Sequence, residues 1–419
     1  MAMFQYLVLL FIILFAIMPL FKKGQRTTYM IFRAVATTFI VLIGMFLSFL
    51  IPDFGIILFL AVVLLVLLLE KWFYTTKFGI VLLIVLLAGS GTGVYYFFYS
   101  DPAIVSGYLE ETDTTSLYLS IDGEVKIDTA PGQERPLAST VKIMIAAAYA
   151  EQVASGELDP EALVPLEELG TFYLANSDGG AHADWLASVE DDITDSQIPL
   201  QDVAQGMIVY SSNANAEYLL DLIGFDSIDE RMEAWGMLDE QETLVPLVSS
   251  LLLVDDLGEE VENLSHAEIR ERSVALHSEL ESGERTLPDS FHMSSSLQRI
   301  WSDSVTSASA ASYGDFLREV QTGEWGNAEE NAILRDLLED AYLFEDADYL
   351  GGKGGSTGFV LNQALYAKLD TGEEMELVFF MDDLNIFQQK RVARSSNDFL
   401  IEVLSSENYR NALVNQFGK

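Results

Sequence analysis

Ser139-Thr140-Val141-Lys142 sets a hydroxyl and an amine three residues apart, the only Ser-x-x-Lys in the chain. At the start of a helix that spacing puts both groups on one side, and the positive end of the helix dipole favours an alkoxide at the serine. A lysine inside an apolar helix loses solvation, so its pKa drops and a neutral amine becomes available to deprotonate the hydroxyl. The chemistry on offer is nucleophilic acyl transfer. A plainer role is also open, with Ser139 an N-cap and Lys142 snorkelling to water.

Two further segments carry polar groups in settings that suit a site. Ser211-Ser212-Asn213 follows the apolar run Met207-Ile208-Val209-Tyr210 and precedes a helical pattern from Asn215 to Leu220; it reads either as a cleft-lining turn or as a helix cap. Ser-x-Asn recurs at Ser395–Asn397 and Ser406–Asn408, so the tripeptide alone has little weight. Gly351-Gly352-Lys353-Gly354-Gly355-Ser356-Thr357-Gly358 places one cation in backbone that another group can approach closely. A phosphate-cradling loop would need Ser or Thr directly after the lysine, and Gly354 stands there instead, so nucleotide binding is rejected. The plainer alternative is a flexible glycine turn.

Strand and helix patterns order these segments. Ser116–Ile121 alternates apolar and polar residues, Asp122-Gly123 suits a two-residue turn, and Glu124–Ile127 returns as a second strand. From Ser139 an almost wholly apolar helix runs to Ser155-Gly156, as expected of one buried at a domain centre. Helical patterns follow, among them Ala204–Ile208, Ala216–Ile223, Ala267–Glu281 and Ala332–Leu338. Gln363–Leu369 and Met375–Phe380 read as strands around Asp370-Thr371-Gly372, and Asn397–Leu404 as a closing helix. The order predicts an α/β (α+β) domain over 101–419: an antiparallel sheet lobe from about 101–138 and 345–419, with an all-α lobe, about 139–344, inserted between.

Composition bounds the rest. The 419 residues carry 23 Lys+Arg against 64 Asp+Glu, a formal charge of −41, yet half are hydrophobic, which excludes a disordered acidic chain. Residues 1–100 hold six of the basic and two of the acidic side chains, leaving 17 against 62 beyond them. A polyanion of this kind repels phosphate backbones, so nucleic acid is not an expected partner. The chain has no cysteine, which excludes disulfides, zinc-thiolate sites and cysteine nucleophiles. No cofactor or metal is expected. The acidity predicts a domain that needs concentrated salt to fold, because salt screens repulsion to about 3 Å at 1 M. Complete folding at low ionic strength, read by circular dichroism, would remove that prediction.

Residues 1–100 contain four apolar stretches, Met3–Phe21, Met30–Ile51, Phe54–Leu69 and Phe78–Phe98, most of them near the ~20 residues that cross a bilayer. Apolar segments continue to Tyr99, unlike a cleaved signal peptide, so a retained four-helix membrane domain is expected. The third stretch is short and is open to a re-entrant reading. Lys22, Lys23 and Arg26 mark the first loop as cytoplasmic, and Lys71 and Lys77 the third. This places the N-terminus and the domain after Ser100 outside the cytoplasm, with a lipid bilayer as partner.

Taken together and in this order, the three motifs resemble the S-x-x-K, S-D-N and K-T-G signature of penicillin-recognising serine hydrolases, the class A β-lactamases and D,D-peptidases. The resemblance covers roughly residues 101–419 and includes Pro136-Leu137-Ala138 and Leu200–Ala216. It implies the two-lobed β-lactamase/transpeptidase-like fold, with Ser139 as nucleophile and Lys142 as its activating base. It further implies that Ser211 relays a proton to the leaving group, Asn213 holds the substrate amide, and Lys353 binds the substrate carboxylate. The backbone N–H groups of Ser139 and Ser356, beside Gly355, would form the oxyanion hole. None of the four histidines is needed.

The sequence departs from the family in two places. Gly354 supplies no hydroxyl after the lysine, leaving Ser356 or Thr357 to replace that contact. Class A enzymes also use a glutamate on a loop after the second motif to activate the deacylating water, and Thr243-Leu244-Val245-Pro246-Leu247 holds no carboxylate. A later Glu-x-x-x-Asn match, Glu259–Asn263, is the alternative. Phe172–Trp185 is expected at the cleft rim without an assigned role. The expected function is a membrane-anchored acyl-serine hydrolase acting on a cell-wall D-alanyl peptide or a β-lactam-like small molecule, with efficient lactam hydrolysis unsupported. The alternatives are a penicillin-binding-type sensor working through a membrane protein partner, or a degenerate ligand-binding module.

Overall fold

The computed structural model describes residues 99–418 except 111–112, 238–242, 289, 341–343 and 345, together with Val35, Thr37, Thr38 and Val41. The chain divides into two units, Met1–Tyr99 and Ser100–Lys419. Apart from Val35, Thr37, Thr38 and Val41, which fall in the second, the four expected membrane spans lie outside the described residues, and among the described residues no helix is long and apolar enough to cross a membrane.

The second unit opens with α1 (Pro102–Leu109), which starts where Asp101 accepts from the Ala103 N–H at 2.8 Å. β1 (Thr115–Ile121) and β2 (Glu124–Asp128) form the expected hairpin, and Asp122 and Gly123 both take positive φ, 50° and 76°, as a two-residue turn of matching twist requires. After β3 (Glu134–Pro136) a single 3₁₀ turn, Ala138–Val141, leads into α2 (Lys142–Ser155), which ends at the left-handed Gly156. The middle of the unit comprises β4 (Leu163–Pro165), α3 (Leu166–Gly170), α4 (Ala181–Ser188), β5 (Gln197–Pro199), α5 (Leu200–Val209), α6 (Asn213–Ile223) and α7 (Phe225–Ala234). Then come α8 (Leu247–Leu257), α9 (His266–Glu281), α10 (Ser295–Ser304), β6 (Ser307–Ser309), α11 (Ala310–Thr322) and α12 (Ala328–Glu339). The chain finishes with β7 (Ala347–Ser356), β8 (Leu361–Leu369), β9 (Glu374–Met381), α13 (Ile386–Ser405) and α14 (Glu407–Phe417).

The main sheet is antiparallel in the order β2-β1-β9-β8-β7, so both ends of the unit build it and β7 is an edge. Side-chain alternation splits its residues between two cores. Tyr118, Ala364, Tyr366, Val378 and Phe380 face α2, α5 and α11, whereas Leu117, Leu119, Leu365, Leu377 and Phe379 pack on α1, α13 and α14. A third core joins Phe172 and Leu174 to Val248, Leu251 and Leu252 of α8, Leu280 of α9, and Phe291.

Two elements differ from the sequence reading. The glycine run at 351–355 is not a turn but the second half of β7. The closing helix begins at Ile386 rather than Asn397, and a second helix follows because Ser406 ends one and caps the next, accepting from the Tyr409 N–H at 3.2 Å.

Candidate active site

Lys142 is fully buried at the first position of α2, which excludes snorkelling. Its Nζ lies 3.2 Å from Ser139 Oγ and 3.2 Å from Ser211 Oγ, with shorter bonds to the Ser211 carbonyl (2.6 Å) and Asn213 Oδ1 (2.8 Å). The last two oxygens can only accept, so they take two N–H groups and leave the third nitrogen site facing the two hydroxyls. A neutral amine fits that arrangement, its lone pair turned to hydroxyls that can donate. Burial, reinforced by the nearby Lys353 cation and partly opposed by Asp178, holds the Lys142 pKa well below the usual lysine value. Ser139 is half-buried in the 3₁₀ turn just before α2 and is not the helix cap.

The second segment is built around strain and a buried network. Ser211 has φ 69°, a left-handed conformation that costs a non-glycine residue about 1–3 kcal/mol and that clusters at functional sites. The cap of α6 is Ser212, which accepts from the Asn215 N–H at 3.2 Å, so Ser211 is freed to face Lys142. Beneath them His182 Nδ1 meets Ser212 Oγ at 2.9 Å and Asn215 Oδ1 at 3.1 Å, and Asn215 Nδ2 donates to the Val203 carbonyl at 3.0 Å. His182 is buried, which lowers its pKa and keeps the ring neutral. Tyr173 lies 4.5 Å from it between ring centres.

The segment Phe172–Trp185 thereby gains a physical role that its sequence did not reveal: His182 braces the turn carrying Ser211 and Asn213. His182→Ala is expected to slow acylation about tenfold, the equivalent of a lost buried hydrogen bond at ~1–1.5 kcal/mol, with His182→Asn recovering part of it. Stopped-flow acylation of folded variants decides; parental rates in the alanine variant would leave His182 a core residue only.

The third segment uses the open edge of the sheet. A Cβ on Gly355 would lie 2.7 Å from the Leu137 carbonyl and 2.9 Å from the Ser139 nitrogen, so only glycine lets β7 run this close to the 3₁₀ turn. The Thr357 N–H bonds the Val360 carbonyl at 3.1 Å, which sets the ladder phase and leaves Ser356 opposite Leu361 in a non-bonded pair, its N–H turned to the open edge. Asn362 on β8 ties the same region down, donating to the Pro136 (2.7 Å) and Leu137 (3.0 Å) carbonyls. Thr357 is the more constrained of the two candidates for the missing hydroxyl, because its Oγ1 accepts from Ser302 (2.7 Å) and from the N–H groups of Phe359 and Val360 (both 3.1 Å). Ser356 is exposed in the cleft and remains available.

Ser139, Ser211, Asn213, Lys353, Gly355 and Ser356 line one cavity of about 680 Å³, with Lys142 directly behind Ser139. Lys353 is buried, donates to the Gly354 carbonyl at 3.2 Å, and is pushed down to about 8 by desolvation. The pH profile of kcat/KM follows from these two lysines. Under the roles that the family resemblance implies, it should rise as Lys142 loses its proton and fall near pH 8 as Lys353 loses the charge that would hold a substrate carboxylate. A profile still rising at pH 9 in a steady-state assay would contradict that role for Lys353.

Among the described lining residues Asp178 is the only carboxylate, and its oxygens accept from the Gly180 and His182 N–H groups at 3.1 Å each. Glu259 and Asn263 are exposed on a 3₁₀ segment, Gly258–Asn263, away from the cavity lining, so the Glu-x-x-x-Asn match has no place in the site. Glu217, on α6, is buried but caps α8 through the Val248 (3.0 Å) and Ser249 (3.1 Å) N–H groups. No cluster of His, Asp or Glu suited to a metal ion occurs among the described residues.

Ser-x-x-Lys, Ser-x-Asn and a lysine-bearing edge strand thus meet in one cleft over an antiparallel sheet, an arrangement of the serine hydrolase type. The model of the beta-lactamase enzyme family matches residues 103–349, and the chain belongs to that family. No curated protein matches the chain in sequence. Among solved structures, a beta-lactamase from Chitinophaga pinensis DSM 2588 is similar at 15% identity and a TM-score of 0.47, covering 70% of this chain and 96% of its own. A beta-lactamase from Sphaerobacter thermophilus DSM 20745 gives 15%, 0.45, 73% and 98% in the same terms. The protein described as PBP-A gives 14%, 0.43, 72% and 96%.

Proposed function

We propose that the chain is a penicillin-recognising serine hydrolase that forms an acyl-enzyme at Ser139 on a D-alanyl peptide or a β-lactam-like substrate. The observation that carries this reading is the buried Lys142 amine held 3.2 Å from both Ser139 Oγ and Ser211 Oγ. Ser139 Oγ attacks the acyl carbon as its proton passes to Lys142 Nζ. The carbonyl oxygen, now negative, takes the N–H groups of Ser139 and Ser356. The C–N bond breaks as Ser211 Oγ gives its proton to the leaving nitrogen and receives one from Lys142, which returns to its neutral form. Asn213 holds the substrate amide and Lys353 its carboxylate.

Deacylation is the slow half of this cycle, because the one lining carboxylate among the described residues, Asp178, accepts from two backbone N–H groups. That favours a long-lived acyl-enzyme, as in a peptidase or a penicillin-binding sensor, over a rapid lactamase. The distribution of Lys and Arg over residues 1–100 supports a membrane tether with the reactive unit outside the cytoplasm. The loops Lys22–Thr28 and Glu70–Lys77 are too short for an output domain, so a sensor would need a membrane protein partner.

A fluorescent penicillin tests the proposal, with the adduct mapped by mass spectrometry and Ser139→Ala as control. Stable label on Ser139 is expected; rapid turnover would make the protein a lactamase, and no label in the folded protein would make it a degenerate module. Accessibility of a C-terminal tag in intact cells tests the topology.

A further inference from the structure

We infer that the outward face of α13, carrying Ile386, Phe387, Lys390, Arg394 and Ile401, lies on the bilayer that tethers the chain, its apolar side chains at the acyl boundary and its cations on anionic headgroups. The inference rests on the membrane tether proposed above. α13 turns Val392, Phe399 and Val403 into the core against the main sheet, so the apolar residues on its other side are not core residues. Ile386, Phe387 and Ile401 are 36%, 65% and 49% exposed, whereas the other exposed large apolar side chains described in the unit lie singly on different elements. At 3.6 residues per turn, positions 387, 390, 394, 397 and 401 form one stripe.

Charge on the stripe runs against the rest of the unit. Residues 101–419 hold 62 carboxylates against 17 basic side chains, yet Ile386–Asn397 contains Lys390, Arg391 and Arg394 and no carboxylate. The carboxylates at its borders are Asp383, paired with Arg299, and Asp398, which accepts from the Ser100 hydroxyl. The first exposed carboxylate on the helix, Glu402, comes after Ile401. An exposed face that combines aromatic and aliphatic groups with Lys and Arg has the composition of an interfacial helix. Its long basic side chains reach the headgroups while their stems stay on apolar surface.

The place where the chain enters the unit puts the same face at the membrane. Ser100 Oγ donates to the Arg394 carbonyl at 3.3 Å and the Asp101 N–H to Ser395 Oγ at 3.3 Å, so the unit begins against the middle of α13. The expected fourth span ends at Phe98, and the two residues from there to Ser100 reach at most about 7 Å. Phe387 and Ile401 each lie seven residues from Arg394, about 10 Å along the helix axis. The tether therefore holds the stripe by its middle, close to the lipid. Ser396 of the same helix lines the cavity that contains Ser139, so docking sets the height of the cleft above the bilayer.

The test uses the full chain reconstituted in vesicles of phosphatidylcholine and phosphatidylglycerol, at an ionic strength where circular dichroism shows the unit folded. Because the chain has no cysteine, a single NBD fluorophore can be placed at Asn397→Cys on the stripe or, for reference, at Leu163→Cys, an exposed site on β4. Lipid carrying a nitroxide near the headgroup should quench the probe at 397 severalfold more than the probe at 163. Lys390→Glu with Arg394→Glu, and Phe387→Ser with Ile401→Ser, should each lower the quenching at 397 severalfold, since one basic residue near an anionic surface changes affinity about fivefold. Equal quenching at 397 and 163 in vesicle-bound protein, or quenching unchanged by both pairs of substitutions, overturns the inference and leaves the tether standing. A blue-shifted probe at 397 that nitroxide lipid does not quench would mean that a second copy of the chain covers the face, with the same consequence. Release of the whole chain from the vesicles by alkaline carbonate overturns the tether and the inference with it.

Discussion

Lys142→Met should slow acylation of Ser139 by about 10³-fold or more while leaving the unit folded. A positioned general base contributes about 10²–10⁴ in rate, and in the proposed mechanism this amine, 3.2 Å from both Ser139 Oγ and Ser211 Oγ, accepts the proton of the first hydroxyl and donates to the second. Methionine has similar length, and no buried amine is left to desolvate. Against that, the Ser211 carbonyl and Asn213 Oδ1 lose the N–H groups they now accept at 2.6 and 2.8 Å, a cost of about 1–3 kcal/mol for each buried acceptor left bare. The melting temperature should therefore fall by several degrees but the sheet should persist. Lys142→Arg separates charge from basicity, because a guanidinium stays protonated and cannot accept the serine proton. It should be as inactive as the methionine variant. Intact-mass kinetics with a fluorescent penicillin checks both, and near-parental rates in either variant would show that some other group activates Ser139.

The parts of the site that were legible in the sequence are those whose chemistry is local. Ser139 and Lys142 share one turn, Ser211 and Asn213 flank one cap, and each pair is fixed by spacing alone. The hairpin at Asp122-Gly123 was legible for the same reason, since both turn residues must take positive φ and their types allow it. β7 was hidden because glycine has low strand propensity. Its glycines answer to distant neighbours instead: a Cβ at Gly351 would sit 2.6 Å from the Tyr366 ring, and one at Gly355 would strike the 3₁₀ turn. His182 was hidden likewise, being 30 residues before Ser212 in the chain and 2.9 Å from it in space. The difference between Ser356 and Thr357 as candidates for the missing hydroxyl also needed the turn itself, where Thr357 Oγ1 accepts three hydrogen bonds and Ser356 is exposed.

Gly355→Ala should be the most damaging single-methyl change in the site, lowering acylation by about 10²–10³. The added Cβ would lie 2.7 Å from the Leu137 oxygen, 2.8 Å from the Thr140 nitrogen and 2.9 Å from the Ser139 nitrogen. All three are backbone atoms, so none can rotate away, and either β7 or the 3₁₀ turn must move. Both carry the proposed oxyanion donors, Ser356 N–H on the strand and Ser139 N–H on the turn, and losing one such donor typically costs 10²–10³ in rate. The same crowding should cost about 1–3 kcal/mol of stability, the usual range for overpacking. Gly354 provides the internal comparison, since the one tight contact of a Cβ there is with Gln363 Oε1 at 3.1 Å, a side-chain end, and the nearest backbone atom, the Asn362 oxygen, lies at an ordinary 3.7 Å. Gly354→Ser should fold normally and keep acylation within about tenfold of the parent, although it differs from Gly355→Ala by one position on the same strand. Acylation kinetics and thermal melts on the two variants read out the contrast. Equal rates in both would mean that the approach of β7 to Ser139 does not govern the oxyanion site, and the proposed stabilisation by Ser356 would have to be abandoned.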